Sequence, residues 1–285
     1  MFFGDQFWKV GTQSKLSREY LLLAVLYGGS TLIIPLATQY LVNNLALSSL
    51  FSNTLVFLIL ILGFLTFSQI LRFIQLIILE HIQREIFVAE SRKWMMKLAP
   101  KKAHYLLEVQ SMMKSFSISW GNLVELGLTL FFGLIVIILL HPAFLIVPVL
   151  IGAGAWGIFG MWKPAILTSV EESNEKYRIV DLGQKDKRED VTLASFLEAR
   201  DRHFTYIKRS TVIVGLVLVL TQVYLLSLGI WLIGADQLSL GQLISAEIIL
   251  SGIMAAFVKL PKTMESIYDL ETSEIKLGMA AGDEA

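Results

Sequence analysis

The chain has 285 residues, of which 55% are hydrophobic and 17% charged, with 24 basic and 24 acidic side chains and a mean hydropathy of +0.64. That balance excludes a soluble globular domain of this length and reads as an all-α integral membrane protein. The absence of cysteine excludes disulfides, thiolate metal sites and cysteine nucleophiles.

Residues 1–19 set Phe3, Phe7 and Val10 on one helical face, which predicts a short helix lying in the membrane interface. The first strongly apolar run is too long for a cleaved signal and has no small-residue cleavage site. Six runs are then long and apolar enough to cross a hydrocarbon core of about 30 Å: Tyr20–Val42, Thr54–Leu79, Ile118–Leu140, Phe144–Trp162, Thr211–Gly234 and Leu240–Val258. Gly28, Gly29 and Pro35 in the first are tolerable where neighbouring helices satisfy the loosened backbone. The second run passes without punctuation into a charged amphipathic helix, 80–98, ended by Pro100. Lys101–Met113 then predicts a short helical turn, so that 80–115 forms one polar extension. His141-Pro142-Ala143 is a tight turn, with Pro142 suited to the first turn of the fourth span.

Residues 163–210 form the second extension, a helical hairpin. On its first limb Val170, Asn174, Tyr177 and Asp181 recur at helical spacing, and on its second Val191, Ala194, Phe196, Leu197, Phe204 and Ile207 do so, with Gly183–Glu189 as the turn. Limbs of about 20 residues would project about 30 Å beyond the spans. Residues 235–239 turn the fifth span into the sixth, Pro261 marks the far end of the sixth, and a polar amphipathic helix follows. The six-helix domain thus covers 20–277, with a tail at 278–285.

Of the 24 Lys and Arg residues, 23 fall in the amino-terminal segment, the two extensions and the carboxy-terminal segment, and none in the three short loops. By the positive-inside rule the termini and both extensions are cytoplasmic, which places the chain in a plasma membrane, the inner membrane of a bacterium. The remaining cation, Arg72, sits deep enough in its span that snorkelling to the inner headgroups is the expected arrangement. Asn122 and Glu125 lie near the inner end of the third span and could line a vestibule there. Glu247 and Gln222 lie near mid-membrane, where a carboxylate must face a cavity or a partner. These four are the candidate substrate-pathway residues, with a structural hydrogen bond between helices as the alternative. The small residues Gly152, Ala153, Gly154, Gly157 and Gly160 predict close packing of the fourth span.

No GxxxxGK[ST] loop, HExxH or GxSxG occurs, so the chain itself offers no nucleotide cradle, metal motif or catalytic site and needs no cofactor. The four histidines are dispersed. Ten basic residues on the hairpin are interleaved with nine acids, which favours a solvated, protein-facing helix pair over a nucleic-acid surface.

Several stretches carry a resemblance. Pro35 precedes GlnTyrLeuValAsnAsn; LysLeuAlaProLysLysAlaHisTyr occupies 97–105; SerLeuGlyGlnLeuIleSerAla occupies 239–246, with Leu260-Pro261 further on. In order and spacing, together with six spans and extensions after spans two and four, these resemble the transmembrane domain of ABC exporters of the ABCB-like type. The resemblance implies a dimer, formed with a second copy or a homologous subunit, in which spans four and five reach across to the partner. It also implies two coupling turns that dock on nucleotide-binding domains. Ala103, His104, Tyr105 and Leu106 would form the first turn, and Asp181, Gln184, Lys185, Asp186, Lys187 and Arg188 the second. ATP and Mg would then bind a separate ATPase subunit, and membrane lipids and a periplasmic adaptor would complete the assembly. The second extension is shorter than in that family, and the family's Glu-x-x-x-Gly-Ile-x-x-Val-Lys stretch is not recognisable. Two readings follow: the permease subunit of an exporter of peptide, protein or amphiphile, and a degenerate relative kept as a membrane scaffold. A secondary transporter would show inverted repeats, and the sequence has no such symmetry.

Overall fold

A computed structural model of the protein describes residues 15–45, 51–95, 106–182 and 189–282. Among them the chain forms nine α-helices: α1 (Lys15–Thr31), α2 (Ile33–Leu45), α3 (Phe51–Met95), α4 (Leu106–Leu140), α5 (Ile146–Phe159), α6 (Trp162–Leu182), α7 (Glu189–Gly234), α8 (Leu240–Phe257) and α9 (Leu260–Gly282). Six helical stretches are long and apolar enough to cross a membrane, which makes this a multi-pass helical membrane protein. Their outward faces are apolar over long stretches, as with Leu58, Ile59 and Leu62 on α3 and Val219, Leu220 and Val223 on α7, where lipid would otherwise meet unsatisfied polar groups.

The spans match the sequence reading, with differences at their ends. The first is two helices: Leu32 interrupts it, because Pro35 in the first turn of α2 cannot donate to the preceding carbonyls. Of the short turn expected over Lys101–Met113, residues 101–105 lie outside the described residues and the rest belongs to α4, which runs unbroken from Leu106 to Leu140. Val109, Met112 and Phe116 repeat at helical spacing, and the core formed with Tyr20, Ile82, Ile86 and Leu270 buries that face, so packing extends the helix. The carboxy-terminal helix persists to Gly282, into the stretch read as a tail. Of the interfacial helix expected over 1–19, only residues from Lys15 onward are described, and they already belong to α1.

Local chemistry explains the turns at the end of the bundle away from the charged extensions. His141 caps a short 3-10 helix, its Nδ1 accepting from the Ala143 N–H at 3.1 Å, with Pro142 at the first position. Ser239 and Gln242 form a capping box: the Ser239 hydroxyl accepts from the Gln242 N–H at 3.1 Å, and the Gln242 side chain accepts from the Ser239 N–H at 2.8 Å. Asp236, at φ 57°, takes the left-handed position that turns α7 into α8. Gly241 lets α2 approach, since a Cβ there would lie 2.7 Å from the Gln39 carbonyl oxygen, and its N–H donates to Asn43 Oδ1 at 3.2 Å.

The sixth span and its continuation form the hub. In the most apolar window of that stretch 56% of residues are buried, against at most 28% in any other span. α8 packs on α2, α4 and α7, and α9 on α4, α6 and α7. Spans four and five pack beside it within the same chain: Gly154 of α5 meets Val217 and Phe257, and the Tyr224 hydroxyl donates to the Ala143 carbonyl at 2.6 Å. At the charged end α6 and α7 lie side by side as the expected hairpin. Arg200 pairs with Glu172 at 2.9 Å, Arg202 with Glu171 at 3.4 Å, and the Ser195 hydroxyl donates to Glu175 at 2.7 Å.

Candidate functional site

Polar groups inside the bundle gather at three levels. The level nearest the uncharged end holds Gln222 of α7 and Glu247 of α8. Glu247 is seven residues from the start of α8, about 11 Å along the axis, and shares the α7-facing side of the helix with Leu243 and Met254. Leu243 lies against Gly229 and Met254 accepts from the Thr221 hydroxyl. The structure brings the two predicted residues together, with Gln222 Nε2 donating to Glu247 Oε1. Glu247 Oε2 is buried and has no hydrogen-bond partner among the described residues. A half-satisfied carboxylate between two helices either holds them in register or awaits a ligand.

The next level joins α4 to the junction of α8 and α9. Asn122 Nδ2 donates to the Thr263 hydroxyl at 3.0 Å, and Lys259 Nζ donates to Glu125 at 3.0 Å. Lys259 sits where α8 breaks before Pro261, so the cation that balances Glu125 comes from the hinge of the sixth span. On the far side of Glu125 a cavity of about 40 Å³ opens between α1, α3 and α4, lined also by Tyr20, Tyr27, Arg72, Gln75 and Thr129. Arg72 does not simply turn to the headgroups. Its Nη1 lies 3.4 Å from the Tyr27 hydroxyl, and its guanidinium carbon 5.9 Å from that ring's centre.

The third level is a cleft of about 150 Å³ among the charged helices, where α4, α6 and α9 meet. Glu108, Glu172, Lys176 and Asp269 line it, with several serine and threonine hydroxyls. The Ser273 hydroxyl donates to Glu108 at 2.8 Å, and Ser169 and Thr272 bond at 3.0 Å. Beside the cleft Arg200 reaches Glu172 on α6 and also Glu265 on α9 at 3.5 Å, so one guanidinium ties the hairpin to the hub. Burial works against that charge, and the two carboxylates more than offset it. Asp269 is open to the cleft on one side and crowded by helices on the other. The crowding decides: burial first, then Glu265 and Glu172, push its carboxyl up to about 6 against the pull of Arg200 and Lys176. Burial and Glu274 push Glu271 up to about 7. His203 of α7 is enclosed edge-on against Tyr268 at 6.0 Å, and burial holds its imidazole below the usual histidine value.

Of the expected coupling residues, Ala103, His104, Tyr105, Gln184, Lys185, Asp186, Lys187 and Arg188 lie outside the described residues. Leu106 opens α4, and Asp181 is in the last turn of α6. Sequence reasoning missed Arg200, Lys259, Glu172, Glu108 and Asp269, whose significance comes from contacts between helices far apart in the chain. The sequence carried no local signal for them, since Asp269, for example, lies on an exposed position of α9 and the groups it meets, Glu172 and Lys176, lie on α6. No protein-family model and no curated protein matches the chain.

Proposed function

We propose that the chain is the permease subunit of an ATP-driven exporter of the ABC type, in a bacterial inner membrane with both termini cytoplasmic. It would pair with a second copy or a homologous subunit. The exported substrate is a peptide, protein or amphiphile. ATP and Mg bind a separate ATPase chain, and the present chain has no catalytic role of its own. One observation carries the reading: α7 is a single helix of 46 residues, about 69 Å long. Its charged half is bound to α6 by ion pairs, forming a stiff paired arm whose described ends are Leu182 and Glu189. An arm of that length with interleaved charges suits a soluble protein partner better than lipid or nucleic acid.

Purified alone, the chain should hydrolyse no ATP. With its cognate ATPase, hydrolysis should appear and should fall at least tenfold on charge reversal at Lys185, Lys187 and Arg188. Retention of full coupled hydrolysis in that triple variant would overturn the arm's assigned role.

A second reading, a non-transporting scaffold or regulatory subunit of the same architecture, draws on a different observation. Glu247 faces Gln222 across a packed helix contact, and spans four and five are closely fitted to the sixth span of their own chain. If complex assembly requires the hairpin while Glu247→Ala leaves transport by the complex unchanged, the scaffold reading is favoured.

A further inference from the structure

We propose that the cavity between the first three spans seats the phosphate of an anionic lipid headgroup. At about 40 Å³ it has room for more than one water-sized group, since one water needs about 10–15 Å³. Its lining has an excess of hydrogen-bond donors. Gln75 is 8% exposed, and its Nε2 has no acceptor among the described residues; a buried donor left so destabilises the fold until an acceptor is supplied. Arg72 spends one N–H on a long contact with Tyr27, and among the described residues it has no carboxylate partner. The Tyr20 and Thr129 hydroxyls add further donors. Among the described residues Glu125 is the one carboxylate in the lining, and Lys259 already balances its charge. The group that completes such a site is anionic and presents acceptor oxygens in several directions. A phosphate edge fits this description, because a guanidinium fork and an amide can share its oxygens.

The location selects the source. Arg72 lies eight residues before Glu80, about 12 Å along α3, within snorkelling reach of headgroups on the charged side. Around it on α3, Phe73, Leu76 and Ile77 are exposed and apolar, so this mouth opens toward lipid. Tyr20, buried against the third span near Gly121, lines the cavity on the side of the charged end, the side from which a free phosphate would come.

This inference requires only that the chain spans a bilayer. Its failure would leave the exporter reading standing, and loss of ATPase coupling would leave the lipid site standing. The test is native mass spectrometry of the full chain released from nanodiscs of phosphatidylglycerol or phosphatidylcholine. Wild type should retain one phosphatidylglycerol that phosphatidylcholine does not replace. Arg72→Gln should lower retention about tenfold and Gln75→Leu about threefold, the loss of one charge-assisted and one neutral donor. Arg84→Gln, at a guanidinium already paired with Glu80 at 2.9 Å, should change nothing. Equal retention in Arg72→Gln, or equal retention of phosphatidylcholine, overturns the proposal, and displacement by inorganic phosphate overturns the lipid source. Should Arg72→Gln fail to fold, as judged by circular dichroism and gel filtration, Arg72→Lys and Gln75→Leu carry the same readout, and unchanged retention in both overturns it.

Discussion

Glu247 shows how far a single residue can be read before its neighbours are known. Its depth and charge are legible from the count of residues to the nearest turn, but its partner is not, because Gln222 lies on another span and nothing in either local pattern selects the other. Once the pair is seen, its energetics can be tested. Gln222→Leu leaves both oxygens of Glu247 without a donor and should destabilise the protein by about 1–3 kcal/mol. The double variant Gln222→Leu/Glu247→Leu should recover most of that loss, since an apolar pair needs no hydrogen bond. Thermal unfolding of the purified protein in detergent reads both, and a double variant less stable than the single one would refute the pairing. The run at Ser239–Ala246 makes a similar point. The sequence offered it as part of a resemblance, whereas the structure gives its first residues local roles. Ser239 and Gln242 cap a helix, and Gly241 admits the first span.

At the scale of elements, hydropathy located the spans because lipid leaves a long apolar run few alternatives. It did not locate the hub. α9 reads as a polar amphipathic helix, yet Met264, Ile267 and Tyr268 are buried in one core and Leu270 in the other. The polar residues on its stripe, Thr263, Ser266, Thr272 and Ser273, are buried as well. Burial makes this helix sensitive to pH in two directions. Asp269 and Glu271 titrate higher in the folded protein than their ordinary values of 3.8 and 4.5, so the folded state holds more protons than the unfolded one between those values and about 6 and 7. Their contribution to stability is full at low pH and lost as pH rises through that window. His203, held below its ordinary 6.5, does the opposite: its contribution is full above 6.5 and lost as pH falls. Two carboxylates outweigh one imidazole, so these groups together should make stability highest in acid, below the ordinary 3.8 of Asp269, and lower as pH rises toward about 7, with His203 only shallowing the decline below 6.5. Glu271→Gln should remove most of the decline on the alkaline side and Asp269→Asn less, because Asp269 keeps an open edge to water. The shift should be a few degrees in Tm, and an unchanged alkaline limb in Glu271→Gln would contradict the assignment.

For the whole molecule, the count of basic residues predicts sidedness, and the chain has no cysteine to complicate a direct measurement. Single cysteines at Gln237, in the short turn, and at Glu198, on the hairpin, should be labelled by an impermeant maleimide from opposite faces of the membrane. Labelling of both from the same face would discard the topology. Quaternary arrangement was not legible in the same way, since the surfaces by which spans four and five would meet another subunit are apolar toward lipid and toward protein alike.

The unbroken course of α7 has a mechanical consequence. Its long apolar run begins at Thr211, close to the midpoint of the rod, so a helix held there would behave as a seesaw. Sideways force at the hairpin tip returns at the opposite face with nearly the same amplitude and reversed sense. Gln222 rides on the inner part of the distant arm, so under the proposed coupling a displacement of the charged half would load its hydrogen bond to Glu247.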